Sequence, residues 1–256
     1  RPLDFSLAFK GQGKNVEIPL LELSDERYLD VQGNLSLLNW DAKHDMFIQA
    51  ELKNLSVTQP GIRYFMDNLT GSVPSILDRM EFVRFKGSAG GYFHDLQVGG
   101  LLQTAAGVVD ANLLINSDLD FKRTYSGGVK SENLNLGKLL GDSKFGHTQF
   151  NVDLKGFNYN DKYPESYIKG IVSSFDYSGY CYENISLDGI YKDGGFNGHL
   201  ALDDENGKVR IDGSFNIAEK ISDFNLYATI QNLRLDKLNL SDKYIDSDIS
   251  FNLNAD

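Results

Sequence analysis

Apolar and polar residues alternate with a period of two along most of the chain. In the stretch FNLYATIQ, Phe224, Leu226, Ala228 and Ile230 share one face, while Asn225, Tyr227, Thr229 and Gln231 share the other. VRIDGSFNI places Val209, Ile211, Phe215 and Ile217 opposite Arg210, Asp212, Ser214 and Asn216. HTQFNVDLKG sets Phe150, Val152 and Leu154 against Gln149, Asn151, Asp153 and Lys155, and ISFNLN continues with Ile249, Phe251 and Leu253. Successive strand side chains point to opposite faces, so each stretch predicts a strand with one apolar and one wet face. Antiparallel sheets solvated on one side read this way; doubly covered parallel sheets do not.

Turn signals separate the strands: Gly11-Gln12-Gly13, Gly127-Gly128, Asp193-Gly194-Gly195 and Asn206-Gly207. The last predicts a type I′ hairpin, which needs positive φ at both central residues. An acidic calcium loop over DDENG is the weaker reading, because the alternating ligand spacing and distal Glu are missing. Helical spacing is confined to Ile62, Phe65, Met66 and Leu69 and to Ile76, Leu77 and Met80, near Pro60 and Pro74, and predicts two turns at most in each. LGKLLGD (136–142) and LDKLNLSD (235–242) predict single-turn caps.

One passage occurs twice. ENLNLGKLLGDSKFGHTQFNVDLKG (132–156) returns, shifted by 99 residues, as QNLRLDKLNLSDKYIDSDISFNLNA (231–255). Asn133, Leu134, Leu136, Lys138, Leu139, Lys144 and Leu154 fall on identical residues without a gap. YENISLDG (182–189) echoes FHDLQVGG (93–100), and KNLSV (53–57) is an earlier version of the NLxL strand end. A recurring module of strands and a short cap predicts a stacked architecture in which one block of sheet adds to the next. The fold class expected is mostly β: an elongated, curved antiparallel sheet repeat, an open groove or taco-like form, with a few short helices. Residues 1–256 form one such segment, with approximate units 1–80, 81–156 and 157–256. The absence of a start Met or leader, with strands at both ends, suggests an internal piece of a longer protein.

Composition agrees with that picture. The 256 residues are 41% hydrophobic and 24% charged, with 25 Gly, 16 Phe, 13 Tyr and only 5 Pro, which favours strands and tight turns. The net charge of −11 argues against a nucleic-acid partner and against docking by charge on anionic lipid. A single cysteine, Cys181, excludes an internal disulfide framework. It shares a strand face with Ile185 and Leu187 by simple alternation, which predicts a small buried hydrophobe.

Catalytic chemistry finds no support. His44, His94, His147 and His199 are isolated, and no metal-ligand spacing occurs, so no metal and no cofactor are expected. Ser88 lies in KGSAG, where Lys86 breaks the nucleophile-elbow pattern, and reads as a turn serine. Asp203-Asp204 and the Asp246/Asp248 pair read as solvated carboxylates.

Three blocks, residues 80–115, 126–156 and 174–215, resemble the translocation and assembly module TamB proteins of Bacteroides-type bacteria, which belong with AsmA-like proteins. The likeness runs from about Val57 to Asp256 and rests on Gly, aromatic and apolar positions. It implies a periplasmic β structure in a Gram-negative cell, with an inner-membrane anchor helix and an outer-membrane-facing domain outside this chain. It also implies no enzymatic activity, phospholipid acyl chains as ligand, and an outer-membrane BamA/TamA-like assembly protein as partner through other regions. The candidate apolar groove comprises Phe150, Val152, Leu154, Val209, Ile211, Phe215, Phe224, Leu226, Ile230 and Phe251. The same residues also suit a filled sandwich core, as in a structural or adhesive surface protein. Alternation alone does not separate the two.

Overall fold

The computed structural model describes residues 4–25, 27–42, 45–70, 74–117, 123–157, 165–192, 195–216, 223–241 and 248–255. The chain is mostly β. Its fifteen strands follow one another in chain order as an open, curved antiparallel sheet, with three short helices at connections. Contacts divide it into two units, residues 1–122 with 138–141 and residues 123–137 with 142–256.

The first unit contains β1 (Asp4–Gln12), β2 (Asn15–Asp25), β3 (Leu29–Leu38), β4 (Phe47–Thr58), α1 (Gln59–Thr70), α2 (Ser75–Arg79), β5 (Phe82–Tyr92), β6 (Asp95–Thr104) and β7 (Gly107–Ser117). The helix α1 is longer than the two turns expected from its proline. Pro60 sits in the first turn, where its missing N–H is not needed. The Thr58 hydroxyl accepts the Gly61 N–H at 3.2 Å and caps the helix. Arg63 then joins α1 to α2 through a forked pair with Asp78, at 2.6 and 3.1 Å.

The second unit begins with β8 (Arg123–Asn135). The one-turn helix α3 (Leu136–Leu140) follows in the chain, its residues 138–140 grouping with the first unit, and the second unit continues with β9 (Phe145–Phe157), β10 (Glu165–Tyr177), β11 (Tyr180–Lys192), β12 (Gly195–Asp204), β13 (Gly207–Asn216), β14 (Asp223–Arg234) and β15 (Asp248–Ala255). The cap expected after β14 is a turn over 235–239, and residues 242–247 lie outside the described residues.

The repeated NLxL passage has a structural cause. Pairing slips between Ser131 and Leu134 and again between Ile230 and Leu233, two positions 99 residues apart. The earlier KNLSV version has the same slip between Leu52 and Leu55. Each is a β-bulge, where an unpaired insertion bends the strand. The motif thus encodes a bend followed by a cap. A comparable slip between Ile18 and Leu21 accommodates Pro19, which has no N–H for a ladder.

Other turns correct the expectations. Gly127 and Gly128 lie inside β8, with Gly127 opposite Leu154. Ser88 is mid-strand, opposite Glu51 and Gly99. The hairpin at residues 205–206 forms, but neither residue has positive φ, so it is not type I′. The Asp204 carboxylate accepts the Asn206 N–H at 2.9 Å and closes the turn instead. Thr104 does the same with its hydroxyl and the Ala106 N–H, at 3.1 Å.

Little of the protein is a dry core. Its accessible surface is 16253 Å². Compact packing of this chain would leave about 11,300 Å², and two separate compact halves about 13,600 Å². The buried apolar side chains are Ile62, Ala106, Leu134, Ala228 and Leu238 among the described residues, and four of these five sit at or beside the capped strand ends.

Candidate functional site

Directly opposed residues of an antiparallel pair share a face, so register places every side chain. In the second unit one row across the strands reads Phe150, Val172, Ile185, Leu202, Val209, Ile230, Phe251. The next reads Val152, Gly170, Leu187, Leu200, Ile211, Ala228, Leu253, and the third Leu154, Ile168, Gly189, Gly198, Gly213, Leu226, Ala255. Register therefore brings eight of the ten groove candidates onto three adjacent rows of one face. Phe215 and Phe224 hold the fourth row, opposite each other, and their side chains lie outside the described residues. The flanking polar residues Asn151, Asp153, Lys155, Arg210 and Asp212 point the other way and are exposed.

The first unit builds a similar face. Leu23, Val31, Leu55, Phe85, Leu102 and Val109 form one row, and Leu35, Ala50, Ala89, Val98 and Leu113 another. No position in these rows of either unit carries a formal charge.

This face is only partly covered. Most of its residues are half-buried by their neighbours in the row, while Phe5, Leu7, Phe251 and Leu253 are exposed. Exposed apolar patches on ordinary soluble monomers reach about 300–600 Å². Seven strands about 4.8 Å apart, over three rows or more, already fill such an area within one unit.

Glycine pairs interrupt the face and aromatic rings lie against them. A β-carbon at Gly189 would sit 2.6 Å from Cζ of Phe196, and one at Gly87 would sit 2.6 Å from Cζ of Phe85. The echo of 93–100 in 182–189 is thereby explained: Gly100 and Gly189 each pair with a second glycine, Gly87 and Gly198, beneath a ring.

An aromatic cluster closes the capped end of the second unit. Phe145, Phe175, Tyr177, Tyr180 and Tyr182 form a chain of rings with centroids 4.8–6.4 Å apart. The Tyr182 hydroxyl donates to the carbonyl of Leu238, which is fully buried, at 2.8 Å. Asp204 is 4% exposed, contrary to its expected solvation. It accepts the Tyr180 hydroxyl and the N–H groups of Glu183 and Asn206. Burial, with that carboxylate adding to it against an opposing bond from Asn206, pushes the Tyr180 phenol up to about 12.

Cys181 is exposed, not buried. Asn184 takes φ 56° and changes the alternation, so Cys181 no longer faces the same way as Ile185. Partial burial, then Asp176, raises its thiol pKa, the opposite of an activated nucleophile.

The wet face carries its own order. Asp153, Lys169, Asp188, His199 and Asp212 stand in one cross-strand row of mostly alternating charge. Lys169 pairs with Asp188 at 2.8 Å and His199 with Asp212. Hydrogen bonds from Lys169 and then Tyr167 hold the Asp188 carboxyl below its ordinary range. Hollows of about 760 Å³ and 560 Å³ lie over this face, one in each unit. They are spaces between side chains already bonded to one another, as Asn34 is to Glu51 and Gln97 to Asn112.

Among the described residues no group of His, Cys, Asp and Glu is placed to hold a metal ion. His94 stacks on Tyr92, His147 meets Asn135, and His44 lies outside the described residues. No described helix is long and apolar enough to cross a membrane. The chain matches no family model, no curated protein and no solved structure.

Proposed function

We propose that this chain is a non-enzymatic segment of a TamB/AsmA-like scaffold in the periplasm of a Gram-negative cell. Its apolar face carries phospholipid acyl chains between inner and outer membranes or supports outer-membrane protein assembly. The observation that carries this reading is the uncharged, half-covered face running across six strands in the first unit and seven in the second. Acyl chains need a continuous apolar surface and no specific polar contact. A closed-core adhesive protein would need a second layer over that face, and the large accessible surface speaks against one.

The test is lipid extraction from vesicles by the purified chain. Leu226 lies mid-strand on the face and is half-buried, while Asn225 beside it points to water. An unpaired charge in apolar surroundings is costly. Leu226→Arg should lower recovered lipid at least tenfold with an unchanged circular dichroism spectrum, and Asn225→Arg should leave recovery within twofold. A folded Leu226→Arg protein extracting lipid like wild type would overturn the proposal.

A further inference from the structure

The wet face of the first unit holds the larger hollow, whose 760 Å³ falls inside the range of about 300–1,000 Å³ usual for ligand clefts. Two adjacent cross-strand rows build it from β3 to β7. One reads Asn34, Glu51, Ser88, Gly99, Asn112, and the other Ser36, Gln49, Gly90, Gln97, Leu114. Gly90 and Gly99 lie at its floor.

The fold needs neither of these glycines. Neither has positive φ. A β-carbon at Gly90 would meet no atom within 4 Å, and one at Gly99 would come no nearer than 3.6 Å to Asn112. At Gly33, Gly87, Gly91 and Gly100 of the same sheet a β-carbon would instead strike backbone at 2.2–2.4 Å. Glycine weakens a strand, and inside one it marks a bulge, a close neighbouring backbone or a close ligand. Pairing runs through Gly90 and Gly99 without a slip and no backbone crowds them, so a ligand is the reason left.

The walls state its chemistry. The Asn34 amide donates to Glu51 and the Gln97 amide to Asn112, each at 3.1 Å. Each bond orients its pair and uses one donor and one acceptor, so every amide keeps both kinds of group for a ligand. Gln49 keeps its whole amide. One cation, Lys86, stands against Glu51 and Asp110, which disfavours an anion. Peptides are taken at a free sheet edge, in an apolar groove, on aromatic ridges or by clustered arginines. This hollow is mid-sheet and its side chains are amides, carboxylates, a hydroxyl and one lysine. Paired donors and acceptors without net cationic charge suit vicinal hydroxyls, each of which both gives and accepts a hydrogen bond. Four strand spacings of about 4.8 Å make about 19 Å. An extended β-1,4-linked pyranose chain advances by close to one strand spacing per sugar.

We infer that the wet face of the first unit binds a neutral β-1,4-linked glycan, laid across β3 to β7 over Gly90 and Gly99, with about four sugars in contact. The site is on the face opposite to the acyl-chain surface and stands independently of that reading.

Isothermal titration calorimetry of the purified chain tests this with β-1,4-linked oligomers of glucose and of N-acetylglucosamine, two to six sugars long. Affinity should rise about fivefold per sugar up to four and then stay level within about twofold. A tighter glucose series places bare hydroxyls on the amide walls, and a tighter N-acetylated series places acetamido groups there; either supports the site. Gly90→Val should melt no lower than wild type yet bind at least tenfold more weakly, and Gln49→Ala should bind several-fold more weakly. Gly128→Val, on the wet face of the second unit, should bind as wild type does. No binding by any oligomer, or unchanged affinity in Gly90→Val, overturns the inference. A lower melting temperature for Gly90→Val would show that the fold does require this glycine and overturns the argument from the floor. A Ser/Gly octapeptide bound as tightly as the tetrasaccharides makes the hollow a polypeptide groove and overturns the glycan assignment.

Discussion

Asp204 departs furthest from what its neighbours in the chain suggest. In LDDENGK it reads as one of two solvated acids, and its neighbour Asp203 is exposed and pairs with Lys208 at 2.7 Å. Asp204 instead turns under the aromatic cluster and gathers three hydrogen bonds. Only the arrival of Tyr180 and Glu183, more than twenty residues away, makes that possible. The setting has a pH signature. The Tyr180 phenol rises in the folded state from 10.0 to about 12, so its neutral form is favoured there. That stabilisation is present below pH 10 and is lost as pH climbs towards 12. Tyr180→Phe should flatten the loss of stability across this window. It should also cost about 1 kcal/mol at pH 8, because Asp204 keeps one bond fewer. Urea denaturation at pH 8, 10 and 11.5 measures both.

Strands and caps show how far local pattern reaches. Alternation identified β9, β13, β14 and β15 and their apolar faces, because a half-solvated strand leaves period two in its residues. It failed where bulges shift the period. Cys181 was misplaced because Asn184, three residues on, adopts positive φ. The signal was in the text: EN followed by Ile or Leu stands at Glu183 and at Glu132, and the second of these is a slip in pairing. Positive φ is tolerated by Asn and Gly and strained for β-branched residues. Asn184→Val should therefore lower stability by about 1–2 kcal/mol, while Asn184→Gly stays within about 0.5 kcal/mol. Thermal melts of the two variants read the difference. Equal melting temperatures would mean the bulge relaxes without cost.

At the scale of the molecule, the chain keeps its apolar face without burying it in a core. Among the described residues few apolar side chains are dry, and most of those support the caps. Native protein should thus bind the dye ANS strongly at neutral pH, before any unfolding. Lipid should displace the dye in proportion to its recovery on the protein. Weak dye binding by folded, lipid-free protein would show the face covered by something else. Charged residues on the other face, in rows such as Asp153–Lys169–Asp188, keep the sheet in water.

The sequence by itself determined the strand class, the antiparallel habit, the two unlike faces and the recurrence of a strand end followed by a cap. Each of these depends on residues a few places apart, so short-range pattern is enough to state it. Register and burial were decided only by the tertiary structure. Which apolar residue stands opposite which, whether Asp204 is wet, and whether the greasy face packs on a second layer all depend on strands far apart in the chain. The alternation Phe150, Val152, Leu154 is identical for a filled sandwich and an open sheet, because period two records which side is apolar and not what covers it.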